Sequence, residues 1–255
     1  MILATDFKCF VKILFSVCLL FFQRASIFAQ NQKVADSLVK IYQKNKLENS
    51  EKLELLRNLS FNEVNNLELS LKYADELIAL SKLEKNYLYL HRGYYQKGNK
   101  NRLIGDLNKA LNDFFKSAEA ASKAKFITGK GVAYMSIADV YSIMGNANNA
   151  EVYYTKSIDL LRKTKDSIAL ASALLNAGDE YSRNKKYNLA LKYFKEASII
   201  FDKTDYLIGT GYALGNIGMV YAKQGNNELG KIYITKAIKI LEKLNDFYAI
   251  SEYLI

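Results

Sequence analysis

The chain has 255 residues and a formal net charge of +10, with no proline, no tryptophan, one histidine, 19 tyrosines and 13 phenylalanines. Average usage would supply roughly a dozen prolines, so Pro-rich linkers and proline-marked turns are excluded. Half the residues are hydrophobic, which excludes a disordered chain. The composition fits a chain that is helical almost throughout, because proline breaks helix interiors. The length allows one or two domains, or a solenoid that grows by adding units.

In chain order, residues 1–29 come first and have the parts of a secretory signal peptide. Lys8 and Lys12 precede the apolar run Ile13-Leu14-Phe15-Ser16-Val17-Cys18-Leu19-Leu20-Phe21-Phe22, and Gln23-Arg24 and Ser26-Ile27-Phe28-Ala29 come after it. Cleavage after Ala29 is expected, which makes the protein exported: periplasmic or otherwise extracytoplasmic. An uncleaved anchor is the alternative, although the run is short for about 30 Å of hydrocarbon. Both cysteines, Cys9 and Cys18, lie in this leader, so the mature chain is expected to have no thiol and no disulfide. The leader also carries Lys8, Lys12 and Arg24 against Asp6, leaving about +8 on the rest. That charge is spread in small groups such as Lys44 with Lys46 and Lys185 with Lys186. It reads as solvated helix faces and not the clustered stripe nucleic acid would need, so no nucleic-acid partner is expected.

Residues 30–50 contain an amphipathic helix, expected over 33–46 and suited to capping the first repeat unit. From residue 51 the sequence repeats every forty residues. Ser70, Ala110, Ala150, Ala190 and Gly230 hold one position; Gly98, Ala138, Gly178 and Gly218 hold a second; Tyr141, Tyr181 and Tyr221 hold a third. Four residues after the first set come Ala74, Phe114, Tyr154, Phe194 and Ile234. This gives units 51–90, 91–130, 131–170, 171–210 and 211–250, with the start of a sixth at 251–255. The segment from Phe247 onward reads as the opening of that sixth unit's first helix, so a longer protein is expected.

Each unit reads as two helices. In 171–210, Leu174, Ala177, Gly178 and Tyr181 form a face with spacings of three and four. A polar break at 183–186 precedes a second face of Ala190, Phe194, Ala197 and Phe201. Gly105, Gly145 and Gly225 supply the positive φ that ends a helix, and Asn148 with Glu151 is expected as a capping box. Small residues inside the first helices are expected where a neighbouring backbone comes close.

The pattern Leu-x-x-apolar-(Gly/Ala)-x-x-Tyr, a turn, then Ala-x-x-x-aromatic-x-x-Ala resembles the tetratricopeptide repeat. It is clearest at Ala177-Gly178-Asp179-Glu180-Tyr181 with Ala190, Phe194 and Ala197, and at Ile217-Gly218-Met219-Val220-Tyr221 with Gly230, Ile234 and Ala237. The resemblance covers about residues 51–255. It implies an all-α, right-handed superhelical solenoid of antiparallel helix hairpins. The usual unit is about 34 residues, so these hairpins should be longer. The proline that commonly closes the second helix is absent. Lys97 and Asn101 stand where the pattern wants an apolar and an aromatic residue.

Little here could carry chemistry. His91 beside Tyr94 and Tyr95 reads as a structural residue. No zinc site is spaced in the sequence, and no nucleophile–base pair. No catalytic residue, metal or cofactor is therefore expected. The string Gly209-Thr210-Gly211-Tyr212-Ala213-Leu214-Gly215 looks like a phosphate loop but lacks the preceding strand and the glycine spacing of the dinucleotide fingerprint. It reads as a helix junction with packing glycines. Asp179 and Glu180 point to different sides of a helix and make no acid/base dyad.

In tetratricopeptide proteins the first helices line a concave groove that holds an extended peptide or a partner's helix. The resemblance therefore implies a peptide or protein partner. Asn176 and Asn216 share one repeat position and could clamp a peptide backbone, since an amide both donates and accepts. Asn99, Asp139, Asp179 and Met219, with Tyr95, Arg102, Arg183 and Lys223, would complete the lining. The leader with forty-residue units also resembles the extracytoplasmic sensor part of bacterial signalling proteins, in which a membrane helix and a histidine kinase, nucleotide cyclase or regulator come next. A free periplasmic or surface scaffold is the alternative, and an enzyme on a helical scaffold the remote one. Any membrane tie would run through the leader or a segment after Ile255.

Overall fold

The computed structural model describes residues 32–44 and 46–254. The leader, with both cysteines and its cleavage site, lies outside the described residues. What is described is all-α. A helix α1 spans 32–44, followed by α2 (Asn49–Asn62), α3 (Leu67–Leu83), α4 (Tyr87–Leu103), α5 (Leu107–Lys123), α6 (Ile127–Ile143), α7 (Ala147–Leu161), α8 (Ser167–Arg183), α9 (Tyr187–Lys203), α10 (Leu207–Lys223), α11 (Asn227–Lys243) and α12 (Phe247–Tyr253).

The forty-residue repeat resolves into a twenty-residue step. From Leu67 to Phe247 each helix begins twenty residues after the last, and most consist of 17 residues followed by a three-residue turn. Hairpins therefore begin at 87, 127, 167 and 207, four residues before the sequence-drawn boundaries. From α3 onward every turn except the five-residue one between α7 and α8 shares one chemistry. The middle residue takes the left-handed conformation at Gly105, Gly145 and Gly225, as expected, but also at Lys85, Lys125, Lys185, Asp205 and Asn245. The next N–H bonds back five residues, as Phe126 does to Ala121 and Asn146 to Tyr141, the pairing of a Schellman close. Asn66, Asp106, Asn146, Asp166, Asn226 and Asp246 then cap the following helix through their side chains, each contributing about 1 kcal/mol. The capping box expected at Asn148 is not formed. The α7 helix starts earlier, and Asn146 Oδ1 accepts from the Asn149 N–H at 3.2 Å. Turn and cap chemistry thus takes the place usually held by proline.

The chain divides into two compact units, up to Lys100 and from Asn101 onward. In the first unit, Leu53, Leu55, Leu56, Leu59, Tyr73 and Leu77 form the core, and Leu38, Val39 and Tyr42 of α1 pack on it. Lys97, which breaks the sequence pattern, pairs with Asp75 at 2.6 Å. The Nζ of buried Lys100 donates to the Glu63 carbonyl at 3.1 Å. His91 is buried, its ring 6.0 Å from that of Tyr95.

In the second unit the repeat positions do what their sizes suggest. Ala110, Ala138, Ala150, Ala190, Gly178, Gly218 and Gly230 are all buried. A Cβ on Gly178 would meet the Phe194 ring, and one on Gly218 would meet the α11 backbone. Tyrosine pairs join the two helices of successive hairpins: Tyr141 with Tyr153, Tyr181 with Tyr193 and Tyr221 with Tyr233, with centroids 5.3–5.7 Å apart. The equivalent pair one unit earlier is Asn101 and Asp113, joined by a buried hydrogen bond of 2.7 Å. A polar pair therefore substitutes for an aromatic pair, and α4 stays helical through its departure from the pattern. Gly209, Gly211 and Gly215 lie inside α10 and face Phe201, Leu241 and Tyr253, which makes them packing glycines.

Within this second unit, α6 touches α8, α8 touches α10 and α10 touches α12. Among the described residues the backbones of α5, α7, α9 and α11 stay further apart, and long side chains bridge them, as the Phe115 and Tyr153 rings do at 5.6 Å and Arg162 with Glu196 at 2.7 Å. Helices that close up on one side and splay on the other make a concave face, here formed by α6, α8 and α10.

Candidate functional site

Two neighbouring cavities open on that concave face. The first, of about 250 Å³, is lined by Arg102 at the end of α4, by Asp139, Ser142 and Ile143 of α6, by Tyr154 of α7, and by Asn176, Asp179 and Arg183 of α8. The second, of about 180 Å³, is lined by Asp179, Ser182, Phe194, Asn216, Met219, Lys223, Glu252 and Tyr253. Asp179 belongs to both. Eight of the ten residues expected to line a groove are thus brought together in one unit. The other two, Tyr95 and Asn99, belong to the first unit.

Asp139 anchors the first cavity. Its Oδ1 accepts from the Tyr154 hydroxyl at 2.7 Å and from Asn176 Nδ2 at 3.1 Å. Burial pushes its carboxyl above the usual range, against those two donors and the Arg102 and Arg183 charges. Burial and the neighbouring carboxylate push the Tyr154 hydroxyl up as well. Two turns after Asn176 on α8, Arg183 is held through both Nη groups. Its Nη1 meets Asp179 Oδ2 at 3.1 Å, and its Nη2 meets Glu180 Oε2 at 3.0 Å and Ser142 Oγ at 2.7 Å. Burial opposes ionisation of Glu180, but donors from Ser142, Asn184 and Arg183 outweigh it and hold the carboxyl below its usual value. Asp179 and Glu180 leave the helix in different directions, yet one guanidinium binds both.

Arg102 contrasts with Arg183. Its Nε is buried and no protein group bonds it. An unpaired buried donor costs roughly 1–3 kcal/mol, and the Arg102 guanidinium that carries it lines the cavity, where a ligand would gain.

The asparagine pair is not a uniform ladder. Asn176 spends its N–H on Asp139, whereas Asn216 accepts through Oδ1 from the Tyr253 hydroxyl at 3.2 Å. Tyr253, from α12, lines the second cavity, and its one hydroxyl proton is shared between Asn216 Oδ1 and the Tyr212 carbonyl, the latter at 3.3 Å. Sequence reasoning missed Tyr154 and Phe194, taken as core aromatics, and Ser142, Ile143, Ser182, Glu252 and Tyr253. For Ser142, Ile143 and Ser182 the signal was a place one turn after Asp139 or Asp179; Tyr154 and Phe194 come from the second helix of the same hairpin, and Tyr253 reaches Asn216 from the next. Among the described residues, no cluster of three or more His, Cys, Asp or Glu side chains is placed to hold a metal ion.

Family models described as tetratricopeptide repeat match residues 131–203 and 212–243. The chain is a tetratricopeptide-repeat protein. Both matches fall in the second unit and include Asp139, Asn176, Asp179, Arg183, Asn216, Met219 and Lys223. No curated protein matches the chain. Solved structures share the fold at low identity. A Rap protein complexed with Competence and Sporulation Factor superposes with a TM-score of 0.71 at 15% identity, covering 86% of this chain and 62% of that one. A Signal Transduction ATPase with Numerous Domains from Pyrococcus horikoshii, described as having a tetratricopeptide repeat sensor, gives 0.70 at 18% identity, covering 86% and 35%. YrrB, described as a tetratricopeptide-repeat protein with an unusual peptide-binding site, gives 0.53 at 20% identity, covering 87% and 100%.

Proposed function

We propose that this tetratricopeptide-repeat protein is a non-enzymatic binding module that holds a peptide, or an extended segment of a partner protein, along α6, α8 and α10. The observation that carries this reading is the pair of contiguous cavities on the concave face, lined by Arg102, Asn176, Asn216 and Lys223. Polar groups above an apolar stack hold a peptide main chain while leaving its side chains to be sorted. The factor bound by the Rap protein and the peptide-binding site of YrrB support the same reading. A catalytic role is disfavoured, because the hydroxyl of Tyr154 and the guanidinium of Arg183 are both committed to carboxylates.

The module is further proposed to be exported through its leader and to act as the sensor part of a membrane signalling protein. The sequence of residues 1–29 supports export, and the sensor role described for the Pyrococcus horikoshii protein supports the second step. The binding test is selection of random peptides on the immobilised full chain, then the same measurement on the double variant Asn176→Ala, Asn216→Ala. Selected peptides that bind the double variant at least about tenfold more weakly support the groove. Failure to enrich any peptide, or equal binding by the variant, overturns it. For export, residues 1–40 fused to alkaline phosphatase should give activity outside the cytoplasm, and an inactive fusion would refute it.

A further inference from the structure

The first cavity has a more specific chemistry than a generic peptide groove. Three of its lining residues keep polar capacity without a protein partner: Arg102 in its guanidinium, Asp139 at Oδ2 and Asn176 at Oδ1. Both donors to Asp139 land on its Oδ1. Asn176 must turn its N–H toward that carboxylate, since an ionised carboxylate only accepts, and its own oxygen is left over. Arg183, the other cation, already holds Asp179, Glu180 and Ser142 through its two Nη groups. The wall therefore offers two donors, the Arg102 guanidinium and the second Asn176 N–H, and two acceptors, with one positive and one negative charge. Arg102 and Asp139 feel each other's charge but form no ion pair, so the space between them can take a polar group.

Resting on the peptide-groove reading, we propose that this cavity is a subsite for a primary carboxamide: the side chain of a glutamine or asparagine in the bound peptide. A carboxamide carries one carbonyl acceptor and two N–H donors, the complement of Arg102, Asp139 and Asn176. A cavity of about 250 Å³ is large enough for such a side chain. The charge pair sets the selectivity. A glutamate or aspartate would satisfy Arg102 but set a carboxylate against Asp139, and a lysine or arginine would satisfy Asp139 but set a cation against Arg102. An apolar side chain would cover all three groups without giving them partners. Discrimination by unpaired buried groups is stronger than discrimination by shape.

The test uses the same random-peptide selection on the full chain, with Asp139→Asn and Arg102→Gln as variants. Peptides selected on the unmodified chain should share glutamine or asparagine at one position, and replacing it by glutamate should weaken binding by about tenfold or more. Asp139→Asn leaves a cationic subsite and should move the preference to aspartate or glutamate. Arg102→Gln leaves an anionic one and should move it to lysine or arginine. Opposite switches by two variants would not arise from mere loss of folding. Far-UV circular dichroism confirms that each variant keeps its helix, and if one unfolds, the other still decides. Enriched peptides without a carboxamide preference, or preferences unmoved by both variants, overturn the subsite and leave the groove standing. Enrichment of no peptide overturns both.

Discussion

Gly218 gives the sharpest test of how the hairpins pack. Alanine is the better helix former by about 1 kcal/mol, and at the equivalent position two units earlier the chain has Ala138. Sequence reasoning alone would therefore predict that Gly218→Ala stabilises. The structure predicts the reverse. A Cβ at Gly218 would lie 2.7 Å from Ile234 Cγ1 and 2.9 Å from both the Gly230 carbonyl oxygen and the Ile234 nitrogen. The isoleucine could rotate, but the two backbone atoms move only if α11 moves. Forcing such contacts in a packed core costs typically 1–3 kcal/mol, and more where backbone must shift, so the net loss should be about 1–2 kcal/mol. For a chain of this size that lowers Tm by roughly 2–8 °C, readable by circular dichroism in a thermal or urea scan. The reverse change at the matched position, Ala138→Gly, should also destabilise, by about 1 kcal/mol. A Gly218→Ala variant as stable as the unmodified chain would refute the close approach of α10 and α11.

Lys125 and Lys185 hold φ of 55° and 59°, so Lys125→Gly and Lys185→Gly should each stabilise by about 0.5–1 kcal/mol, seen as a higher urea midpoint. Asn101→Ala removes a donor to the buried Asp113 carboxylate and should cost about 1–3 kcal/mol, measured the same way. Burial raises the Asp139 carboxyl in the folded state. Its contribution to stability is therefore fully present below the unfolded pKa of about 4 and is lost as pH rises through the folded value. Asp139→Asn does not titrate, so the stability difference between it and the unmodified chain should move in favour of the variant as pH rises from about 4 to about 7; a pH-independent difference would count against the burial of Asp139.

The forty-residue period, the helix pairs and the small-residue positions were legible in the sequence, because packing demands repeat wherever helices cross. The twenty-residue step was not. Glycine marks it at only three turns, and elsewhere Lys85, Lys125, Lys185, Asp205 and Asn245 adopt the same conformation without a compositional signal. Unit boundaries drawn from small residues mark where helices touch, not where they end, which is why hairpins begin four residues earlier. On the concave face, residue types and helix positions brought Arg102, Asp139, Asn176, Asp179 and Arg183 into view. Sequence could not show that Tyr154 reaches Asp139 from the second helix of its own hairpin, or that Tyr253 reaches Asn216 across 37 residues. Nor could it separate Arg183, whose Nη groups hold two carboxylates, from Arg102, whose Nε has no partner.

The central claim is that the face of α6, α8 and α10 holds the ligand. Amide hydrogen exchange on the full chain, with and without a selected peptide, tests it most directly. The account predicts new protection in α6, α8 and α10, with α7, α9 and α11 little changed. Protection confined to α7, α9 and α11, on the splayed side, would contradict it.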